Sequence, residues 1–410
     1  MAAIKPFAAV RPIKGKEKQI ASLPYDVYSN DEAVCEAKDN PYSFLHIGKA
    51  EVDTTPADAA DENAVFEKAA ENLKKFISDG ILVRENKPCL YIYRLEKNGH
   101  TQTGIVSCVS LDDYRNGIIK KHELTRTKKV IERYNYIKYC KAQTGPIYLT
   151  YRPNEKIRQK TEEITSSSPL YDFVSYENVR HTVWKVENSQ SIADFAELFS
   201  AVNSVYIADG HHRMEAAEKY SSKVQSFQNS GGEFNYCMSV LFPSDELRVY
   251  EYNRLIKDLN GLDTDAFLQK LSEKFYIMPK NDGIPFRPFM PRQFGMLLFG
   301  KWYMLTLADD TEYGSVVKNL DVSILQNEIL APLLGIDDPQ TNERISFISG
   351  SKGLDALEKT ALVENYGIAF SLYPPSVDDI FSAADSGETV PPKSTWFEPK
   401  LLSGLFVHEI

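Results

Sequence analysis

The sequence predicts a mixed α/β fold of the α+β kind, and three observations carry that prediction. Short apolar runs such as VYIA at 205–208 read as buried strands. Val65, Phe66, Ala69, Leu73, Phe76 and Ile77 recur at helical spacing. The two patterns alternate along the chain without a fixed repeat, which excludes a pure bundle or sandwich. A length of 410 residues suits two or three domains of roughly 100–200 residues each.

The N-terminal KPFAAVRPI reads as a short strand broken at Pro12, and LPYD then forms a proline turn. Ser29 followed three residues later by Glu32 fits a capping box, so a helix is expected to start at Ser29. The periodic stretch 65–77 is a second helix stopped by Gly80. CLYIYRLEKNGHTQTGIVSCVSL is a hairpin turning at Asn98-Gly99. A basic, aromatic stretch from 118 to 141 reads as an exposed loop and a helix ahead of the strand PIYLTY. The strand HTVWKVE, the helix SIADFAELFSAV and the strand at 205–208 follow. NYCMSVLFPSDELRVYEYNRLI holds two strands around Pro243-Ser244-Asp245-Glu246. The final third alternates helices (TDAFLQKLSEKF, SILQNEILAPLLG, GLDALEKTALVEN, SVDDIFSAAD) with strands (FGMLLFG, KWYMLTL, RISFISG, IAFSLYPP).

Composition excludes several classes. With 47 basic against 57 acidic residues and a formal charge of −10, the surface repels nucleic acid and anionic membranes, so any anion site is local and no nucleic-acid partner is expected. No apolar run approaches the roughly 18–20 residues of a span, and MAAIKPFAAVRPIKGKEK is too charged for a secretory leader. The expectation is a cytoplasmic protein without a membrane partner. Five scattered cysteines with no C-x-x-C pair indicate neither a disulfide framework nor a zinc ribbon, and they read as small core residues.

The densest chemistry lies at VYIADGHHRMEAA. The strand ends, Gly210 permits a tight turn, and Met214, Ala217 and Tyr220 begin an apolar helix face, which places 210–213 in the first helical turn. Helix N-termini present unpaired N–H groups and about half a positive charge, a setting for phosphate. Arg213 adds a planar fork, and His211 and His212 add donors. Asp209 is placed to hold magnesium or to take a proton from a hydroxyl, or else simply to cap the helix.

These residues carry a resemblance. DGHHR after a strand, KPFAAVRP and LPYDVYS near the start, HELT in the middle and PPKSTWFEPKLLSGL near the end resemble, in order and over essentially the whole chain, the family known as domain of unknown function 1015. That family is distantly similar to the ParB and sulfiredoxin superfamily, which includes free serine kinases. The resemblance implies a ParB/sulfiredoxin-like nucleotide-binding core at 1–250 with a large insertion at about 51–200. A C-terminal α/β domain at 251–410 is expected to pack on that core. It also implies that Asp209-Gly210-His211-His212-Arg213 faces the phosphates of ATP or ADP with magnesium. His211 stands where sulfiredoxins carry their reactive cysteine, which disfavours that chemistry. The N-terminal catalytic carboxylate of the serine kinases falls on Asp26, Glu17 or Glu32, with Asp26 preferred for its place beside Pro24.

Two further stretches bear on function. His122-Glu123-Leu124-Thr125-Arg126 lies among lysines, either a solvated face or a lid in which Arg126 or Arg133 neutralises phosphate and His122 or Glu123 moves a proton. Tyr134, Tyr136 and Tyr139 offer base stacking as an alternative use. Gly387 to Thr395 imitates a P-loop, but Pro392 stands at its second glycine and lacks an N–H; Lys393, Ser394 and Thr395 remain candidates for reaching an anion. Together these readings predict a phosphotransferase acting on a small hydroxyl-bearing substrate such as free L-serine. The alternative is a non-catalytic nucleotide-binding or nucleic-acid-associated module.

Overall fold

The computed structural model describes residues 1–55, 61–226, 231–309 and 312–410. Its contacts divide the chain into two units, 1–121 with 125–247 and 399–410, and 122–124 with 248–398. The C-terminal domain expected to run to 410 therefore ends at 398, because the last residues pair with the first unit.

Among the described residues the first unit holds a nine-stranded mixed sheet. Its order is Ile119–Lys120, Val205–Asp209, Ile147–Tyr151, Tyr236–Pro243, His100–Ser110, Leu90–Lys97, Arg180–Val186 and Tyr171–Val174, with Ile4–Lys5 added to His100–Ser110. Val205–Asp209 runs parallel to Ile119–Lys120 and antiparallel to Ile147–Tyr151, so the motif strand lies one place in from an edge. The hairpin turns at Asn98 and Gly99, both with positive φ, as the two-residue turn requires. Ile147, Leu149, Val205 and Ile207 from the strands meet Met214, Ala217, Phe195 and Phe199 from the helices in one core.

The helix Asn30–Lys38 carries the capping box foreseen from Ser29 and Glu32. Glu62–Ser78 is the periodic helix, with Gly80 at φ +71 just past its end. The helix Glu155–Thr165 and the strand Tyr171–Val174 escape the sequence pattern; the helix is polar and buries only Ile157. The strands flanking Pro243–Glu246 do not pair: Tyr236–Pro243 belongs to the first sheet, while the chain beyond the turn forms Arg248–Tyr250, paired with Trp396–Glu398, and then Tyr252–Ile256 of the six-stranded sheet. All five cysteines are free, but Cys35 is exposed rather than a core residue.

The C-terminal segment threads the first unit together. Ser403 pairs with Ser22, Val407 with Val10, and His408–Glu409 with Ala142–Gln143. Gly404 has φ +87, and a Cβ there would meet Phe44 at 2.6 Å, so only glycine fits this crossing.

The second unit is a six-stranded antiparallel sheet ordered Phe275–Pro279, Lys301–Leu307, Gln293–Leu298, Ile368–Ser371, Tyr252–Ile256 and Ile345–Ser349. Phe267 of the helix Thr264–Leu271 packs with Phe275 and Phe294 in its core. No helix among the described residues is long and apolar enough to cross a membrane.

His181 makes a pH prediction for this fold. Its ring is buried, stacks on Phe173 and meets the Tyr93 hydroxyl at 2.7 Å, and burial pushes it down to about 3. The unfolded chain protonates a histidine near about 6.5, so it binds the proton more readily than the folded chain across that window. Stability contributed by His181 is therefore lost as pH falls from about 6.5 towards 3. Urea denaturation from pH 7 to 4 should show a shallower acid loss for His181→Gln than for wild type; equal slopes would refute it.

Candidate functional site

The motif strand ends in a bulge. Ile207 pairs with Leu149 and Asp209 with Tyr148, leaving Ala208 as the extra residue. Such an insertion re-aims the following side chain, here Asp209. Gly210 then adopts φ +100 and caps the helix His211–Gln225, whose first bond runs from Met214 N–H to the Gly210 carbonyl.

Asp209 is not a free acid. Lys400 Nζ donates to its Oδ2 at 2.7 Å, and the Arg213 guanidinium stands 3.9 Å from Oδ1. Burial opposes the charged form, but Lys400, Arg213 and His211 outweigh it and hold the carboxyl well below the usual carboxylate range. A carboxylate so stabilised is a weak base near neutrality. Magnesium at Asp209 does not fit either, since both oxygens face protein cations that would have to move away. Lys400 itself was missed as a site residue; its only signal was its place within PPKSTWFEPKLLSGL.

Arg213 lies against main chain. Its Nη1 donates to the Pro146 carbonyl at 2.6 Å. A Cβ on Gly145 would come within 3.3 Å of Nη1, and one on Gly210 within 3.2 Å of Nη2. Two glycines thus leave the space the guanidinium fills.

Arg213 and Arg133 line one small cavity, of about 40 Å³, together with Tyr25, Gln143, Cys237 and Ser403. Arg133, on the helix Thr127–Cys140, is buried with its guanidinium 3.6 Å from the Tyr25 ring centre and 3.9 Å from that of Tyr136. It donates to Glu132 and to the Gly48 carbonyl, while its Nε has no hydrogen-bond partner. Burial opposes its charge, but Tyr25, Tyr136 and Glu132 keep it fully protonated. Burial likewise raises the Tyr25 hydroxyl to about 12 and, against Arg213, the Cys237 thiol to about 12, so neither ionises at neutrality. Gln143 is fixed by the Met238 N–H and the Tyr236 carbonyl, each at 2.7 Å. The cavity therefore carries two guanidiniums against a hydrogen-bonded amide.

The remaining residues singled out by sequence divide between the units. His211 is buried at the helix start. His212 Nε2 accepts the Arg126 N–H at 3.0 Å, so this ring nitrogen serves as an acceptor, not the donor expected of it. Asp26 is exposed in the turn closed by Val27 N–H on the Pro24 carbonyl, next to Tyr25. Glu17 accepts the Gly15 N–H and Glu32 accepts the Ser29 N–H, so both rival carboxylates serve local turns. Tyr136 packs on Phe66, Tyr139 beside it and Tyr134 on Tyr220, so the rings offered for base stacking are used in packing.

His122 and Glu123 belong to the second unit, where the His122 carbonyl accepts the Val390 N–H and Thr395 Oγ1 lies 3.5 Å from its Nε2. Lys393 sits at φ +57 with its ammonium over the Tyr252 ring, and Ser394 donates to the Pro391 carbonyl at 2.5 Å. The P-loop-like stretch thus spends Ser394 on its own proline turn, Lys393 on Tyr252 and Thr395 beside His122.

Fold and cavity together define a mixed α/β protein with an arginine-lined pocket at a strand-to-helix turn. The chain belongs to the family described as Protein of unknown function (DUF1015), whose model matches residues 4–323. The PPKSTWFEPKLLSGL stretch lies beyond that match. No curated protein matches the chain. Among solved structures it is similar to a free serine kinase in complex with AMP (14% identity, TM-score 0.39, covering 74% of this chain and 92% of that one). It is also similar to a conserved hypothetical protein from Pyrococcus furiosus (12%, 0.39, 74% and 95%). A third is SbnI with a C-terminal truncation from Staphylococcus aureus (11%, 0.38, 74% and 87%). Likeness at this level leaves function to be argued from the chain's own geometry.

Two predictions follow from the turn. Lys400→Met strips Asp209 of its nearest cation; with both side chains partly exposed, the expected loss is about 2 kcal/mol. The Asp209 carboxyl should also titrate at higher pH in a carbon-detected NMR experiment, and an unmoved titration would show that the pair carries nothing. Gly210→Ala forces a side chain into positive φ against Arg213 and Ile147. It should cost about 1–3 kcal/mol in urea denaturation.

Proposed function

We propose that the first unit is a nucleotide-dependent phosphotransferase that passes a phosphoryl group from ATP or ADP to a small hydroxyl-bearing metabolite, with free L-serine the acceptor to test first. The observation that carries this reading is the convergence of Arg133 and Arg213 on one cavity, with Arg213 in the first turn of a helix that starts at a strand's carboxyl end. Paired guanidiniums and helix N–H groups are what a polyphosphate requires from a protein of net negative charge. L-serine enters through the likeness of Asp209-Gly210-His211-His212-Arg213 to the serine kinases' motif.

The nucleotide, when bound, supplies the phosphoryl group. Arg213 and Arg133 hold and neutralise its oxygens, a role that relies on placement and charge more than on covalent chemistry. Lys400 keeps Asp209 ionised, and Asp209 in turn helps to orient Arg213. Asp26 takes the hydroxyl proton as the oxygen–phosphorus bond forms and the bond to the departing nucleotide breaks. It suits that role better than Asp209 because it is exposed, whereas Asp209 is locked to Lys400.

Incubation with ATP or ADP, magnesium and a panel of hydroxylated metabolites, followed by phosphorus NMR, tests the reading. Transfer to at least one acceptor is expected. Arg213→Lys, which keeps the charge but loses the fork, should lower kcat/KM by about tenfold or more. No transfer to any acceptor, together with no nucleotide-induced rise in Tm, overturns it.

A further inference from the structure

The second unit contains a cavity that the phosphotransferase reading does not use. It has a volume of about 760 Å³ and is lined by Glu251, Arg254, Arg292, Glu312, Asp321 and Asp379 among others. Acids outnumber bases there, which repels a polyphosphate and separates this cavity in kind from the arginine-lined one.

Three of these charged groups are at least nine-tenths buried. Arg254, on the strand Tyr252–Ile256, is 3% exposed and donates to the carbonyls of Tyr252 and Lys393, both uncharged. Burial drives its guanidinium down to about 9, with Tyr252 opposing. Asp321, first in the helix Asp321–Leu325, is 7% exposed; its Oδ1 accepts the Arg292 N–H at 2.7 Å, and its Oδ2 has no hydrogen-bond partner. Burial raises this carboxyl to about 7; the Arg292 N–H and charge and the nearby Tyr373 backbone oppose the rise, and Asp379 adds to it. Glu251 is buried with its Oε1 lacking a hydrogen bond and Arg287 3.8 Å away. Its carboxylate fits only because residue 350 is glycine, where a Cβ would lie 2.3 Å from it.

Buried charge of both signs, with acceptor oxygens unsatisfied, is costly unless a ligand completes it. A ligand of one sign would answer only half of the cavity. We propose that it is the binding site of a free amino acid, whose ammonium is taken by Asp321 with Glu251 as a second acceptor, and whose carboxylate is taken by Arg254.

Thermal melts of the full chain near neutral pH, with each common proteinogenic amino acid and with its N-acetyl and carboxamide derivatives, test this. At least one free amino acid should raise Tm, and both blocked derivatives should fail to do so. Asp321→Asn, a neutral isostere of the buried acid, should weaken that amino acid by about tenfold or more. It should leave any nucleotide-induced shift in place, which separates this proposal from the phosphotransferase reading. The proposal is overturned if no free amino acid raises Tm, if a blocked derivative protects wild type equally, or if Asp321→Asn keeps the full shift. The blocked derivatives decide the matter on wild type even if the variant does not fold.

Discussion

The ion pair between Lys400 and Asp209 joins residues 191 positions apart and sets the character of the turn that follows the motif strand. Without it, a carboxylate at the end of a buried strand would face only Arg213 and His211 and would sit nearer the protonation range of an ordinary acid. With it, Asp209 is a permanent anion, and a permanent anion four residues before Arg213 holds one side of that guanidinium while the Pro146 carbonyl holds the other. The arginine is thus fixed by the two interactions that also define the turn. Preorganisation of this kind lets a cation act on a ligand without reorganising first.

The first-unit cavity solves a local electrostatic problem. A chain of net charge −10 cannot gather polyanions by its overall field, so the proposed phosphate site depends on local cations that stay charged. Arg133 does this between two tyrosine rings, where a guanidinium is stabilised by the ring faces and by Glu132 despite its burial. Arg213 does it against carbonyl oxygen and the Asp209 carboxylate. The tyrosines that sequence offered for stacking on bases are consumed in the first of these arrangements and in helix packing.

Much of the fold was legible because it is local. The capping box at Ser29 and Glu32, the Asn98-Gly99 turn and the periodic helix before Gly80 each announce themselves within a few residues. The helix start at His211 was legible for the same reason. The bulge at Ala208, the partner of Asp209 and the burial of Arg133 were not, because each depends on a strand or segment distant in sequence. Glu155–Thr165 failed the pattern for the opposite reason: its one buried residue leaves no stripe to read. The division of the chain misled at its end, since 399–410 carry no composition shift and reveal their unit only by pairing with Ser22, Val10 and Ala142–Gln143.

That pairing gives the first unit a demanding topology. Tyr25, Arg133, Arg213 and Ser403 line one cavity, and Lys400 fixes the acid beside it. The whole second-unit segment 248–398 intervenes before the last of these residues is reached. Contacts so distant in sequence close late, after the loop entropy of the intervening chain has been overcome. The central strands and the helix His211–Gln225 can assemble from residues before 247, but Asp209 meets its cation only when the C-terminal segment docks. The charge state of the turn therefore depends on a segment that lies beyond the whole second unit in sequence. A protein with the sheet formed and Lys400 undocked would hold Arg213 with a looser acid beside it.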